Sequence, residues 1–395
     1  MIQVFHNTNF QMMGRTKYFF MAFSMLALTV AFGSMAIRGF NFGIDFAGGT
    51  AVQIRFRETP RVEDLRARLE AANLGDINIQ QIGSAEDNEV LVRVEQQRVK
   101  GAEEGSEGGE ISQEILLTLR SSAVGTESEG RLDLNLVSET RLREWLEESP
   151  GTEDGPGIGP EIAAAAAASV IQARIESGGL FRHESEIDAI AGLDPASVAR
   201  LREATYLGPF VLRGIDFVGP TAGKELIWNT VLAISASVVL ILAWIWFRFH
   251  RAVWGVAAIL ALIHDVAISA GAMSLTGKEF SLPVVAALLT ILGYSINDTI
   301  VIFDRIRENL RLFRDHDFEK VVNASINQTL SRSVLTSFTA FIAVTALFLY
   351  GGDKLNPLSF CLMVGVVFGT YSSIFVAGGA LVLAHRYLGA RHVRA

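Results

Sequence analysis

SLPVVAALLTILGYSINDTIVIF, from Ser281 to Phe303, reads as a membrane helix that carries an acid, Asp298, inside it. Insertion scales put a carboxylate at a helix centre at a cost of about 2.5 to 3.5 kcal/mol. A group that expensive persists where it is paired, solvated or used. The next apolar stretch, SRSVLTSFTAFIAVTALFLY, opens with Arg332, which supplies a counter-charge on a neighbouring helix. A buried acid facing a base across a helix bundle is the apparatus of proton movement. The pair points to an ion-coupled membrane protein.

Composition agrees. The 395 residues are 50% hydrophobic and 19% charged, with a mean hydropathy of +0.33. That is too apolar for an ordinary soluble protein and too polar for a chain wholly within lipid. Six segments approach the roughly 20 helical residues that cross a hydrocarbon core. They run over Tyr18–Ile37, Leu226–Phe247, Ala252–Leu275, Ser281–Phe303, Ser333–Tyr350 and Leu358–Ala384. The fold class is therefore an α-helical polytopic membrane protein. A tail and span one occupy 1–37, a large polar region 38–225, spans two to six 226–384, and a second tail 385–395.

Arginine and lysine set the orientation. Arg15 and Lys17 precede span one, and Arg248 and Arg251 separate spans two and three. Arg305, Arg307, Arg311, Arg314 and Lys320 separate spans four and five, and Arg386, Arg391 and Arg394 follow span six. The other short loops hold only Lys278 and Lys354. Both termini are expected in the cytoplasm and the polar region outside. That region has 19 basic and 33 acidic side chains, a net −14, against −8 for the whole chain. Such a balance does not support nucleic acid as a partner. Span one exceeds a signal-peptide core and reads as a retained anchor, with cleavage near Gly33-Ser34-Met35-Ala36 as the alternative. A single cysteine, Cys361, allows no intrachain disulfide and no cysteine metal cluster.

In the outer region, Gly43, Asp45, Gly48 and Gly49 suggest tight turns where a helix passes to a strand. Strands are expected at Thr50–Arg57, Ile77–Gly83, Glu89–Glu95 and Arg213–Val218, and helices at Val62–Asn73 and Ile111–Ser122. The order β-α-β-β-α-β is that of a ferredoxin-like α+β domain. It closes before Gly219-Pro220-Thr221-Ala222-Gly223. Residues 101–207 break this order as a largely helical, acidic insertion. It begins with the solvated Gly101–Glu110 and includes an Ala-rich helix in Pro156–Ser177 and a helical pair over Ser185–Ala204, kinked at Gly192–Pro195. Two of its turns, GIGPEIA and GLDPASV, are similar to helix-hairpin-helix turns, a use their acidic surroundings oppose.

Other polar groups lie within the spans. His264 and Asp265, adjacent in span three, fit a proton relay or a brace between helices equally well. In span four, Gly293 is suited to close helix approach. Tyr294, one turn before Asp298, is placed to hydrogen-bond its carboxylate, and Asn297 adjoins it. Asp298 lies five residues from Phe303, about 7.5 Å of rise, and hence in the inner half of the membrane. The run Asp304-Arg305-Ile306-Arg307-Glu308 is expected beyond the helix end, and Arg332 at the start of span five. No Walker loop, HExxH or GxSxG elbow is present, so nothing supports an ATPase, metalloprotease or serine hydrolase. No enzymatic site, cofactor or metal is expected, and the energy source would be the transmembrane gradient or a partner.

The blocks GIDFAGGT (Gly43–Thr50), FVGPTAG (Phe217–Gly223), His264-Asp265, GYSINDTIVIFDRIREN (Gly293–Asn309), and Gln328–Arg332 with Thr336 resemble the SecF family of the bacterial Sec translocon. GIDFxGGT alone is shared with SecD. The likeness covers about three quarters of the chain; residues 101–207 depart from it. It implies an inner-membrane relative of the resistance-nodulation-division exporters. Such a protein pairs with SecD, often with YajC, contacts SecYEG and uses the proton-motive force to draw secreted, unfolded chains outward. It also implies that Asp298 and Arg332 serve proton movement, with Asp265, His264 and Asn297 as further relay candidates and Gly293 and Tyr294 as support. Two rivals remain: a small-solute or lipid exporter of the same superfamily, and an assembly factor whose charges only brace helices.

Overall fold

The computed structural model describes residues 10–72, 74–82, 87–95, 107–123, 131–148, 160–190, 198–199, 201–202, 205–313, 316–352 and 354–388. The expected turn at 83–86, the linker at 101–106, the turns at 156–159, the kink at 192–195, and Arg314, Arg391 and Arg394 lie outside them. The chain divides into two compact units, Met1–Phe46 with Lys224–Ala395, and Ala47–Gly223. Eight strands are described: β1 (Asn41–Phe42), β2 (Gly49–Phe56), β3 (Asp76–Ile82), β4 (Glu89–Glu95), β5 (Leu132–Asp133), β6 (Thr205–Tyr206), β7 (Phe210–Val218) and β8 (Glu279–Phe280).

The first unit is a multi-pass helical bundle. Its spans are Thr16–Arg38, Pro220–Phe249, Ala252–Thr276, Leu282–Leu312, Phe318–Tyr350, and Asn356–Ser372 continued through a π-turn (Ser373–Ala377) into Gly378–Leu388. Spans three, four and six form the centre; of the apolar windows of spans two and five only 6% is buried. The faces they leave open carry Trp228, Leu240, Phe338 and Ile342, side chains that hydrocarbon solvates as well as protein does. Small residues allow close crossing at the centre. A Cβ at Gly271 would overlap Ala31 of span one, and one at Gly365 would overlap Ile291 of span four.

Two helix limits differ from the sequence reading. Span four does not stop at Phe303 but runs to Leu312, because the bundle-facing series Ile302, Phe303, Ile306, Asn309 continues at helical spacing. Asp304 to Glu308 therefore ride on the helix rather than beyond it. Span five starts at Phe318, so Arg332 lies fourteen residues, about 21 Å, inside the helix rather than at its start. Hydropathy marks where a helix enters lipid, not where it begins.

Side-chain contacts sort the two ends of this bundle. At one end Lys17 pairs with Glu319 at 2.7 Å, and Arg248 pairs with Asp304 at 2.8 Å. Trp254 there stacks on Phe249 and meets Phe303 edge-on, ring centroids 5.3 and 5.0 Å apart. At the other end Arg38 donates to the Leu275 carbonyl, and the Lys278 ammonium donates to Asn356 Oδ1.

The second unit contains an antiparallel sheet in the order β3-β4-β2-β7. The helices Val62–Ala71 and Glu107–Ala123 seat Leu65, Leu69, Ile115 and Leu119 against Val52, Ile54, Val90 and Val92. Strand, helix, strand, strand, helix, strand thus follow in the expected order. Between Ala123 and Phe210 lies a separate small core, in which the helix Glu139–Glu148 packs on the Ala-rich Pro160–Glu176. The first of these was not read from the sequence, although Leu142, Trp145 and Leu146 have helical spacing. Of the expected pair over Ser185–Ala204, a short helix, Ser185–Asp188, is described.

Candidate functional site

Two acids are buried inside the bundle, Asp265 fully and Asp298 to within 3% of exposure. Their surroundings differ. Asp265 Oδ2 accepts from the Ser295 hydroxyl of span four at 2.5 Å and the Ser372 hydroxyl of span six at 2.7 Å. His264 Nδ1 stands 2.9 Å from its Oδ1, so its N–H tautomer donates there. One carboxylate thereby ties three helices together. The His264 ring stacks near Tyr371, centroids 6.0 Å apart, and its buried Nε2 has no hydrogen-bond partner.

Span six reaches this node because Gly369 brings its backbone against Ser295, where a Cβ would lie 3.3 Å from the serine Cβ. The π-turn then starts at Ser373, whose hydroxyl meets that of Thr299 at 2.8 Å. An extra residue in the turn rotates the remainder of the helix, so adjacent serines serve different neighbours.

Asp298 has a sparser setting. Ser337 of span five donates to its Oδ2 at 3.5 Å, the outer limit of a hydrogen bond. Ser337 in turn accepts from Thr370 of span six at 2.5 Å. Arg332 lies within electrostatic reach of Asp298. Among the described residues it makes no ion pair, and its side chain is exposed on the outside of span five. The acid and the base are thus near each other but not joined.

The remaining candidates are placed as follows. Asn297 is exposed, about 100° around span four from the buried Asp298. Gly293 is also exposed, with open space where a Cβ would stand, so the expected close approach falls to Gly365 and Gly369 instead. Tyr294 does not hydrogen-bond Asp298; its buried hydroxyl has no partner.

The glycine motif after span one builds a clip. Strand β1 pairs in parallel with β8, Gly43 N–H donates to the Phe280 carbonyl at 2.9 Å, and a Cβ on Gly43 would overlap Glu279. Asp45 Oδ2 accepts from Leu282 N–H at 2.8 Å, which caps the first turn of span four with a negative charge. Gly48 and Gly49, at φ 74° and 119°, take backbone angles that a side chain disfavours. Farther on, Pro220 is the first residue of the span-two helix, as its fixed φ favours. Gly219 accepts from Gly223 N–H at 3.0 Å.

Sequence reasoning passed over Ser295, Ser337, Ser372 and Ser373. The available signal was the run Thr370-Tyr371-Ser372-Ser373, four polar groups in succession inside an apolar span.

This arrangement has close relatives. The chain is 37% identical over 397 residues to the protein translocase subunit SecF of Koribacter versatilis, covering 99% of this chain and 95% of that protein. The chain belongs to the SecF family. Its similarity to the SecF of Desulfurispirillum indicum is 35% over 372 residues, covering 93% of this chain and 90% of that one. The family model for protein export membrane protein SecD/SecF, C-terminal, matches residues 202–386, and that for the SecD/SecF GG motif matches residues 33–60. The GG-motif match contains the clip residues Gly43, Asp45, Gly48 and Gly49. Among solved structures, the chain is similar to SecDF, a translocon-associated membrane protein from Thermus thermophilus, with a TM-score of 0.62 and 32% identity. That match covers 96% of this chain and 39% of the SecDF chain, so this SecF family member spans about two fifths of the SecDF length.

Proposed function

We propose that this chain is a gradient-driven subunit of protein export, in which Asp298 takes up and releases a proton. The observation that carries the reading is the sparse coordination of Asp298. A buried ionised carboxylate costs several kcal/mol unless well paired; this one has one hydrogen bond, from Ser337 at 3.5 Å, with the Ser333 hydroxyl and Arg332 in electrostatic reach. It can change protonation without breaking any short hydrogen bond. Its charge state would bias two packings of spans four and five, with Arg332 approaching the ionised form and withdrawing from the neutral one. No cofactor enters this scheme, and the proton gradient supplies the energy. Asn297, whose side chain is exposed, has no part in it.

The second element is a brace. Asp265 with three donors is suited to fixing spans three, four and six rather than to giving up its proton, and His264 shares that role. Of the two readings open for this pair, the geometry favours the structural one.

The partner is a SecD-type chain. The SecDF of Thermus thermophilus is 36% identical over 95% of this chain, which corresponds to 38% of that protein. The rest of that chain would be matched here by a separate subunit lying against the open apolar faces. The SecYEG channel, YajC and the unfolded preprotein belong to the same reading. So does a place in the inner membrane, with both termini cytoplasmic and residues 47–223 on the outer side. Support comes from the clustering of Lys17, Arg248, Arg305, Arg307 and Arg311 on the segments that join at one end of the bundle.

The test is Asp298→Asn, assayed in vesicles with and without an imposed gradient by protease protection of an exported precursor. The variant should assemble with its partner yet show no stimulation by the gradient. Full stimulation would overturn the reading.

A further inference from the structure

A cavity of about 460 Å³ opens at the basic end of the bundle, lined by Arg248, Asp304, Arg307, Glu308, Arg311 and Leu312. Both acids in it are already matched, Asp304 by Arg248 at 2.8 Å and Glu308 by Arg305 at 2.6 Å. Among the described residues Arg307 and Arg311 have no ion pair. They lie four residues apart on one face of span four, and both line the cavity. Arg307 donates through Nη1 to the Arg248 carbonyl at 3.2 Å, and its Nε is buried without an acceptor.

Counting Arg305, which is paired to Glu308, four guanidinium groups face the two carboxylates. The ends of spans two and four, Phe249 and Leu312, add carbonyl dipoles of roughly half a negative charge each. The sum remains positive by about one charge, so the cavity is short of an anion. Its depth identifies which one. Span four's apolar run ends at Phe303, one residue before the cavity begins, and Trp244, Trp246 and Phe247 of span two are exposed on the adjoining stretch. Aromatic rings in that position mark a lipid–water boundary.

We propose that Arg307 and Arg311 seat the phosphate of an anionic phospholipid headgroup, with its acyl chains along the open faces of spans two and four. The planar forks of two arginines match a phosphodiester's oxygens in a way that lysine does not. The site is independent of proton movement by Asp298.

Native mass spectrometry of the full chain in mild detergent tests this, with phosphatidylglycerol, phosphatidylcholine and inorganic phosphate as separate probes. Phosphatidylglycerol should stay bound at collision energies that remove phosphatidylcholine. Arg311→Gln, which disturbs no hydrogen bond among the described residues, should weaken its retention about fivefold, and Arg307→Gln by a similar factor. Arg311→Lys should restore part of the loss, and Arg15→Gln, at the same end of the bundle but outside the cavity, should leave retention unchanged. Equal retention of the two lipids, or no effect of Arg311→Gln, would overturn the proposal. An Arg15→Gln loss as large as that of Arg311→Gln would also overturn it, in favour of general surface charge. Binding of inorganic phosphate that displaces phosphatidylglycerol would reassign the cavity to a free anion.

Discussion

Asp265 is held by groups from its own helix and two others at 2.5 to 2.9 Å, while Asp298, one span away, meets a single hydroxyl at 3.5 Å. Both are buried, and both sit in helices apolar enough to cross a membrane. Burial alone therefore does not distinguish an acid that fixes a structure from one able to change it. The number and length of its hydrogen bonds does. A carboxylate with three short donors would lose several such bonds on leaving its state, each worth about 1.5 to 3 kcal/mol when a charge is involved. One left nearly unanswered has no such restraint.

The contrast breaks most sharply if the two acids are exchanged in role. Asp298→Asn is expected to remove gradient-stimulated export entirely while the thermal midpoint in detergent stays within a few degrees. Asp265→Asn, which keeps an acceptor for Ser295 or Ser372, is expected to retain part of that stimulation. The reverse order in the same vesicle assay would refute the assignment. Next in size, Asp265→Ala leaves buried donors on Ser295 and His264 without an acceptor, at about 1 to 3 kcal/mol each, while Ser372 keeps the Gly369 carbonyl at 3.1 Å. The unfolding midpoint in a denaturant titration should fall accordingly, and the same substitution at Asp298 should cost far less. Ser372→Ala removes one donor of the three and should cost about 1 kcal/mol.

The smallest effect lies outside the bundle and refines the rule. Asp133 is buried in the second unit, and its Oδ1 accepts from the N–H groups of Asn135 at 2.9 Å and Gly208 at 3.0 Å. Its Oδ2 has no partner. Burial raises its pKa above the ordinary 3.8, outweighing those two bonds. A raised folded-state value means that the contribution to stability is complete below about pH 3.8 and declines as pH rises through the folded value. Asp133→Asn should flatten that slope by at most one proton, read as the pH dependence of amide exchange in β5 and β6. An unchanged slope would show that half-satisfied acids obey some other rule.

The fold was legible because its signals are long-range and periodic. Six apolar runs and the alternation in β2 and β4 survive reading one residue at a time, and so does the acid inside span four. Helix ends were not, since Leu312 and Phe318 lie in polar segments where hydropathy no longer tracks helicity. The partners of Asp265 were missed for a different reason. Ser295 and Ser372 are 77 residues apart, and only the crossing at Gly369 brings them to one oxygen. The distance between Arg332 and its acid depends on rotamers, which sequence spacing does not fix.

The clip at Asp45 has a mechanical corollary. Its carboxylate grips the first turn of a rod on which Asp298 lies sixteen residues farther along, about 24 Å down the axis. Four residues past Asp45 the chain enters β2 of the second unit. On the proposed reading, a pull carried along the chain from that strand would reach the head of the helix that bears Asp298. Severing the grip while sparing both ends should leave a protein that still exchanges protons but idles.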